Sequence, residues 1–231
     1  MFIGHFALGF AAKKATPRTS LATLFVAVQL ADILWPIFLA LGVEQVLIVP
    51  GKTASNPLDF VSYPYSHSLL MLVIWGGIFG GIYFARTKNS GASLTIGALV
   101  VSHWVLDWLV HIPDMPLWPG GPKYGLGLWN SPLVEQAIEV AMYLAGVAIY
   151  VRSTRAQDKL GTWGLQILFW LLLIAFFGTT YSAPPPSVKA LWITAIIGTL
   201  VTLVLAWWAD RHRAPTVADR RLLRTKPLFR G

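Results

Sequence analysis

The chain has 231 residues and a net charge of +8; 55% of its residues are hydrophobic and only 12% are charged, giving a mean hydropathy of +0.61. This composition lies outside the range of water-soluble domains and predicts an integral membrane protein. Cysteine is absent, which excludes disulfides, iron–sulfur clusters and thiol nucleophiles and leaves His, Asp and Glu as the strong metal ligands.

The first segment, residues 1–12, is apolar but too short to cross a bilayer alone, and Lys13 and Lys14 follow it. A signal peptide instead carries its positive charges before the apolar core. We therefore expect this segment to be retained as a short helix that spans part of the membrane.

Six later stretches are long enough to cross the membrane as helices, since a hydrocarbon core about 30 Å thick requires roughly 20 apolar helical residues. They are residues 21–42, 68–85, 92–111, 133–151, 163–181 and 190–208. The sequence thus predicts an all-α fold, a polytopic membrane helix bundle of six transmembrane helices plus the short N-terminal helix. Because no internal repeat or linker marks a second domain, we expect one transmembrane domain over residues 1–210 and a basic tail over residues 211–231.

The distribution of basic residues predicts the orientation. If the chain crosses at each span, 15 of the 18 lysines and arginines fall on one side, and only Lys52, Lys123 and Lys189 fall on the other. The positive-inside rule makes the first side cytoplasmic, together with the C-terminal tail, and places the loops over residues 43–66 and 112–132 outside. Topology and anionic headgroups explain the positive charge, so we expect membrane lipid and no nucleic acid as a partner.

Ionisable side chains occur in or beside these apolar stretches, where hydrocarbon tolerates them poorly. Counted at about 1.5 Å per residue from the cytoplasmic ends, they share the middle-to-outer half of the membrane. They are His5, Asp32, His67, His103, Asp107, His111, Glu135 and Glu139, with Asp114 just beyond. Since no Lys or Arg lies within an assigned span, a salt bridge to a basic side chain is largely unavailable to the carboxylates.

Helical spacing places several of these groups on common faces. His103, Asp107 and His111 follow one another at intervals of four residues, and so do Glu135 and Glu139. Residues four apart lie on the same side of a helix, so each set faces one way.

Three uses of such a set remain open beside purely structural roles, such as Asp32 bonding to backbone freed by the proline at position 36. A metal ion would neutralise the carboxylates while neutral imidazoles complete its coordination, and this use is favoured. A proton or ion pathway should continue to the opposite face, yet no further ionisable group lies below His5 and His103 in the spans. A b-type haem would use the histidines but gives no reason for the acids.

Four sequence elements carry a family resemblance. They are an N-terminal Gly-His pair, an acid in the first long helix, a Ser-His-Ser-Leu element and an H-x-x-x-D helix, here Gly4-His5, Asp32, Ser66-His67-Ser68-Leu69 and His103 to Asp107. In this order, within residues 1–140, they resemble the bacterial inner-membrane metal-dependent hydrolase family, whose motifs are similar to those of zinc-dependent phospholipase C. The resemblance implies a multi-pass protein of the bacterial inner membrane, and the orientation predicted from the basic residues places its site toward the periplasm.

A hydrolase of this kind would hold a divalent metal, with zinc first and manganese or iron as alternatives, and use it to activate water. The expected ligands are His67, His103 and Asp107, with His5 and Asp32 either completing the site or holding a second ion. Glu139 would serve as general base or orient a ligand, and His111 would protonate the leaving group. The expected substrate is a phospholipid or other lipid-like phosphoester, whose head group reaches the metal from the outer leaflet while its tail stays in lipid.

The loop over residues 113–131 is rich in Gly, Pro and Trp and would lie over the opening of such a site. It is either a lid, with Lys123 placed to meet a phosphate, or an interfacial loop anchored by Trp118 and Trp129.

A different class of function remains open. The last two spans, residues 163–181 and 190–208, carry no site residue and could face another membrane protein. In that case the chain would be a non-catalytic accessory subunit, in which the buried polar groups only brace the helices.

Overall fold

The computed structural model describes residues 1–216, which form nine α-helices, a short 3-10 helix and three two-stranded antiparallel β-ribbons. The elements in chain order are α1 Ile3–Ala15, α2 Leu21–Val28, α3 Leu30–Ala40, β1 Gln45–Ile48, β2 Leu58–Ser62, α4 Pro64–His67, α5 Leu69–Thr87, α6 Ser90–Val110, β3 Met115–Pro116, β4 Lys123–Tyr124, the 3-10 helix Leu128–Asn130, α7 Pro132–Ser153, β5 Thr154–Ala156, α8 Lys159–Tyr181, α9 Val188–Arg211 and β6 Arg213–Pro215.

The predicted all-α polytopic bundle is confirmed. Among residues 1–216, five helices, α5 to α9, are long and apolar enough to cross a membrane, and the bent pair of α2 and α3 meets the same criterion when taken together, as a broken span or a re-entrant loop. The first residues of the predicted tail, 211–231, are part of the folded structure. Helix α9 continues to Arg211, and β6 follows over Arg213–Pro215. Residues 217–231, which hold most of the predicted basic tail, lie outside the described residues.

The span predicted over residues 21–42 is broken rather than continuous. Helices α2 and α3 meet at an angle of 60°, and Gln29 is the only residue between them. The break lies seven residues before Pro36, which sits inside α3 without interrupting it. The proline therefore does not mark the bend, and Asp32 lies in the first turn of the helix that follows the break.

Side chains define where many of the helices begin. A serine, asparagine or aspartate before the first turn accepts a hydrogen bond from an amide that has no partner within the helix. The pairs are Ser20 with Thr23 for α2, Ser68 with Met71 for α5, Asn89 with Ala92 for α6, Asp158 with Gly161 for α8 and Ser187 with Ala190 for α9.

Glycines allow two helix pairs to approach closely, as is common in membrane bundles. A Cβ atom on Gly76 of α5 would lie 2.9 Å from the carbonyl oxygen of Gly97 on α6. In the other pair, a Cβ atom on Gly146 of α7 would collide with the backbone of Ala7 on α1. The second contact matters for the site, because it fixes the helix that carries His5.

A buried carboxylate joins four helices at one end of the bundle. Asp210, near the end of α9, accepts hydrogen bonds from Lys13 Nζ at 2.6 Å, from the Tyr150 hydroxyl at 2.8 Å and from the Leu21 amide at 2.9 Å. These bonds link α9 to α1, α7 and α2. Lys13 and Asp210 are the kind of buried ion pair that is costly to break by removing one partner.

The strand that follows α9 closes the same end. Arg213 donates to the hydroxyl of Thr154 and to the carbonyl of Gly161, and His212 lies 2.7 Å from Asp158. The amide of Gly161 and the ring of His212 lower the pKa of the exposed Asp158. These contacts hold β6 against β5 and the start of α8.

Candidate metal centre

Six of the predicted site residues converge at the middle of the bundle, although they come from four segments of the chain. His5 lies on α1, Asp32 lies in the first turn of α3, His67 ends α4, and His103 and Asp107 lie on α6 with His111 directly after it. All but Asp32 are almost completely buried. The i, i+4 spacing on α6 and the close packing of α1 bring His5, His103 and His111 around Asp107, and α4 adds His67.

Asp107 is the centre of this cluster. Its Oδ1 lies 2.9 Å from His5 Nε2, and its Oδ2 lies 3.1 Å from His103 Nε2. The same Oδ2 is 3.8 Å from His67 Nε2 and 3.9 Å from His111 Nε2. Four imidazoles therefore direct the same nitrogen toward one carboxylate.

Asp32 forms the second carboxylate of the cluster. Its Oδ1 lies 3.5 Å from His67 Nε2, and its Oδ2 lies 3.8 Å from His103 Nε2. The Asp32 side chain is 37% exposed, whereas those of Asp107 and the surrounding histidines are at most 4% exposed. Asp32 is therefore the edge at which the cluster can be reached from outside the bundle.

The break between α2 and α3 orients His103. Val28 is the last residue of α2, and its carbonyl oxygen lies 2.7 Å from His103 Nδ1. A carbonyl only accepts, so Nδ1 must carry a proton, and in the neutral ring the lone pair of Nε2 faces the carboxylates. Within residues 1–216, His103 Nε2 is buried and has no hydrogen-bond partner, although Asp107 Oδ2 lies 3.1 Å away.

His67 is oriented by two residues that the sequence analysis did not single out for this role. Its Nδ1 lies 2.7 Å from the Ser66 hydroxyl, and that hydroxyl lies 2.6 Å from Glu44 Oε2. Glu44 precedes β1 in the chain and is separated from His67 by the whole β1–β2 ribbon. Sequence spacing gives no signal for this pairing, since only the ribbon brings Glu44 back to α4.

His111 is oriented by Asp114 and Tyr63. Its Nδ1 lies 2.9 Å from Asp114 Oδ1, and the Tyr63 hydroxyl donates to the same oxygen at 2.9 Å. Burial, and then the nearby Asp114, raise the pKa of Tyr63 well above its usual value, so this phenol remains a donor. Asp114 therefore accepts a hydrogen bond from His111 Nδ1. As for the other two histidines, this bond at Nδ1 leaves Nε2 directed toward Asp107.

His5 differs from the other three histidines. Its ring stacks on that of His103 at 3.8 Å, and its Nδ1 is buried without a hydrogen-bond partner in the part of the chain that the structure describes. The 2.9 Å distance from Nε2 to Asp107 Oδ1 is that of an ordinary hydrogen bond. His5 can therefore either donate to Asp107 or, in its other tautomer, offer the lone pair of Nε2.

The amino group of Met1 is a further neighbour of Asp107. It is buried and donates to Oδ1 at 2.6 Å. This corrects the expectation that no basic group lies beside the buried carboxylates, because that expectation considered only lysine and arginine side chains. With neutral histidines, Asp32 and Asp107 still leave the cluster with a net negative charge.

The predicted acid Glu139 contacts the backbone. Its carboxylate accepts from the amides of Phe2 and Gly4, at 2.9 Å each for Oε2, at the start of α1. Its preceding neighbour on the same face, Glu135, is buried, and Glu135 Oε2 has no hydrogen-bond partner among the described residues. Of the roles predicted for Glu139, orienting a ligand fits these contacts, since it fixes the helix that carries His5.

The predicted lid loop packs against the end of α6. Trp129 lies 4.0 Å from the His111 ring, and the amides of Leu126 and Gly127 bond to the carbonyls of Trp108 and His111. Lys123 donates to the carbonyl of Val61. The loop thus covers the cluster on this side.

The donor set fits a metal ion. In two groups the ligand atoms all lie within 4.8 Å of one another: His5, His103 and Asp107 in one, and Asp32, His67 and His103 in the other. His103 belongs to both groups, and among the described residues its buried Nε2 has no hydrogen-bond partner. Zinc and related divalent metals are typically bound by carboxylates and by imidazoles. In such an imidazole one ring nitrogen binds the metal while the other donates a hydrogen bond to a neighbouring group.

Comparison with known proteins adds one match. The family model described as YdjM inner membrane protein matches residues 1–183, a range that includes every residue of the cluster and ends before α9. No curated protein and no solved structure matches the chain. The match supports the bacterial inner-membrane part of the expected family resemblance, and hydrolase activity stays a prediction. With most of its length matched, the chain belongs to the YdjM inner membrane protein family.

Proposed function

We propose that this protein is a membrane-embedded, metal-dependent hydrolase that acts on an amphiphilic phosphoester. One observation carries the proposal: His67, His103 and His111 each bond through Nδ1 and direct Nε2 toward the carboxylates of Asp32 and Asp107. Lone pairs on nitrogen and on carboxylate oxygen repel one another. A cation bound between these atoms would be coordinated by both the nitrogen and the oxygen lone pairs, and the repulsion would be removed.

The residues best placed to hold the ion are His67, His103, Asp32 and Asp107. His5 would complete the set through Nε2 or would steady Asp107 by donating to it. Zinc suits a ligand set of imidazole and carboxylate, and the chain has no thiolate to favour a softer ion. When bound, such an ion supplies Lewis acidity, which favours deprotonation of water and polarises a phosphoryl oxygen.

The chain itself provides an acid for the leaving group. His111 Nε2 faces Asp107, and its Nδ1 rests on the Asp114 carboxylate. The Asp114 carboxylate at Nδ1 offsets part of the cost of burying an imidazolium, so a second proton taken up at Nε2 would be readily released to a departing alkoxide. Glu139 then acts as a positioning residue, through the start of α1.

The surroundings of the cluster favour a lipid-like substrate. The cluster lies among helices that are apolar enough to cross a membrane, and its exposed edge, at Asp32, lies within the broken span. A phosphoester head group can be drawn to the centre by charge, while acyl chains remain beside α3 in lipid.

The test is metal content and lipid hydrolysis in the purified full-length protein. Wild type should contain stoichiometric zinc or a similar metal and release phosphate or a head group from phospholipid or lipid-phosphate vesicles. His103→Ala should lose both properties, while His212→Ala, which changes a histidine outside the cluster, should keep both. A wild-type protein without metal that always co-purifies with other subunits would overturn the proposal and favour the accessory role.

A further inference from the structure

We propose that Glu44 is a positioning residue, which acts through Ser66 to fix the tautomer and direction of His67 as a metal ligand. The inference rests on the proposed function and adds to it a residue that no motif indicates. Glu44 lies outside the cluster, and a single residue, Ser66, connects its carboxylate to the ligand His67.

The carboxylate of Glu44 is buried and fully engaged. The residue is 2% exposed. Oε1 accepts from the amides of Tyr65 and Ser66 at 2.8 and 2.9 Å, and Oε2 accepts from the Ser66 hydroxyl at 2.6 Å. Two amides and one hydroxyl donate to this glutamate anion, which has acceptor oxygens only.

The direction of each hydrogen bond follows from this charge. An ionised carboxylate only accepts, so the single hydroxyl proton of Ser66 must point to Glu44. Ser66 Oγ then has only lone pairs to offer His67 Nδ1, at 2.7 Å. The proton of a neutral His67 must therefore lie on Nδ1, which leaves the lone pair of Nε2 facing Asp32 and Asp107.

The two oxygens of Glu44 have separable roles. Oε1 binds amides of the four-residue helix α4, which has no side-chain cap of its own. Oε2 alone sets the direction of the Ser66 hydroxyl. A purely structural role would require only Oε1, whereas control of His67 requires Oε2 and the hydroxyl.

Glu44→Gln separates these roles because it preserves size and can still accept the two amides through its oxygen. Its NH₂ group would donate to Ser66 Oγ, which would turn the Ser66 hydroxyl toward His67 Nδ1. The His67 proton would then move to Nε2, the position that a metal needs free. An isosteric change outside the cluster should thus invert the tautomer of a histidine inside it.

The experiment uses the full-length chain in detergent or nanodiscs, with Zn²⁺ and Co²⁺ as probes. In metal-free protein, ¹⁵N NMR of the histidine rings should show His67 protonated at Nδ1 in wild type and at Nε2 in Glu44→Gln. Metal affinity should fall about 10–100-fold in Glu44→Gln, the range typical when the hydrogen-bond partner of a ligand is lost. The Co²⁺ absorption spectrum should change with it.

Two controls keep the result interpretable. Asp59→Asn, on the same ribbon but paired with Lys52 in a more exposed setting, should leave affinity and spectrum unchanged. If Glu44→Gln does not fold, Ser66→Ala should weaken metal binding while Ser66→Thr, which keeps the hydroxyl, should restore it.

The outcomes distinguish the two proposals. Wild-type affinity together with a wild-type His67 tautomer in Glu44→Gln would overturn the role of Glu44 and leave the hydrolase proposal intact. Absence of metal binding in wild type would overturn the hydrolase proposal, and with it the ligand role of His67.

Discussion

The carbonyl oxygen of Val28 lies 2.7 Å from His103 Nδ1. Val28 ends α2 at the 60° break, so the same irregularity that interrupts a membrane span also supplies the acceptor that orients a buried histidine. Broken helices at membrane depth are tolerated where neighbouring groups satisfy the freed backbone. Here the neighbour is a residue of the candidate site, which couples the shape of the span to the direction of His103 Nε2.

Metal removal should lower thermal stability. An ion that binds only the folded protein stabilises it by about 2.7 kcal/mol when present at roughly 100 times its dissociation constant. Chelation should therefore lower the melting temperature of wild type in detergent, and added Zn²⁺ should restore it. His103→Ala should show no response to either treatment, whereas His212→Ala should respond as wild type. Equal melting curves for wild type with and without chelator would contradict the metal centre.

The exposed edge of the cluster can be located by chemical labelling, because the chain has no cysteine of its own. Asp32→Cys should react with a small aqueous thiosulfonate reagent, since its side chain is partly exposed. Ala31→Cys should not react, because that neighbouring position is 0% exposed. Labelling is followed by mass spectrometry of the intact protein. Equal protection of both cysteines would refute entry beside Asp32.

Removal of the Glu139 carboxylate should destabilise the protein even where it leaves the metal ligands in place. Glu139→Ala leaves the amides of Phe2 and Gly4 without their acceptor at the buried start of α1. Unsatisfied buried groups cost about 1–3 kcal/mol each. Thermal unfolding should show the loss, and Glu139→Gln should recover part of it. A Glu139→Ala protein with wild-type stability and no activity would instead indicate direct catalysis.

The approach of α1 to α7 should tolerate no side chain at position 146. A Cβ atom on Gly146 would collide with the backbone of Ala7, so Gly146→Ala must push the helices apart. Overpacking of this kind costs about 1–3 kcal/mol. Gly198→Ala on α9 is the matched control, because nothing lies within 4 Å of its Cβ position. Similar unfolding temperatures for the two variants would show that this helix contact is loose.

The buried pair of Lys13 and Asp210 should be far more costly to break than an exposed pair. Lys13→Met leaves Asp210 buried beside Tyr150 without its cation, and loss of one partner from a buried pair costs about 3–5 kcal/mol. Lys52→Met, in the more exposed pair with Asp59, should cost at most about 1 kcal/mol. The difference is tested by measuring the free energy of unfolding of both variants and of the double variant Lys13→Met/Asp210→Asn. Equal costs would mean that water reaches Asp210.

The agreement between sequence and structure is greatest for the helices and for groups on one helix. Apolar length alone located the spans, and the four-residue spacing alone placed His103 and Asp107 on one face of α6. Shared depth correctly suggested that His5, Asp32 and His67 could reach them. These inferences hold because bilayer thickness and helix pitch are fixed, whatever the tertiary contacts are.

The sequence by itself determined a polytopic bundle with acids and histidines buried at one level. Only the tertiary structure decided the break at Gln29, the link from Glu44 to His67 and the use of Glu139 to hold the start of α1. Each of these depends on residues that are distant in the chain. Hydropathy and helical period report the environment of a residue along one segment, whereas the direction of a hydrogen bond depends on which other segment lies beside it.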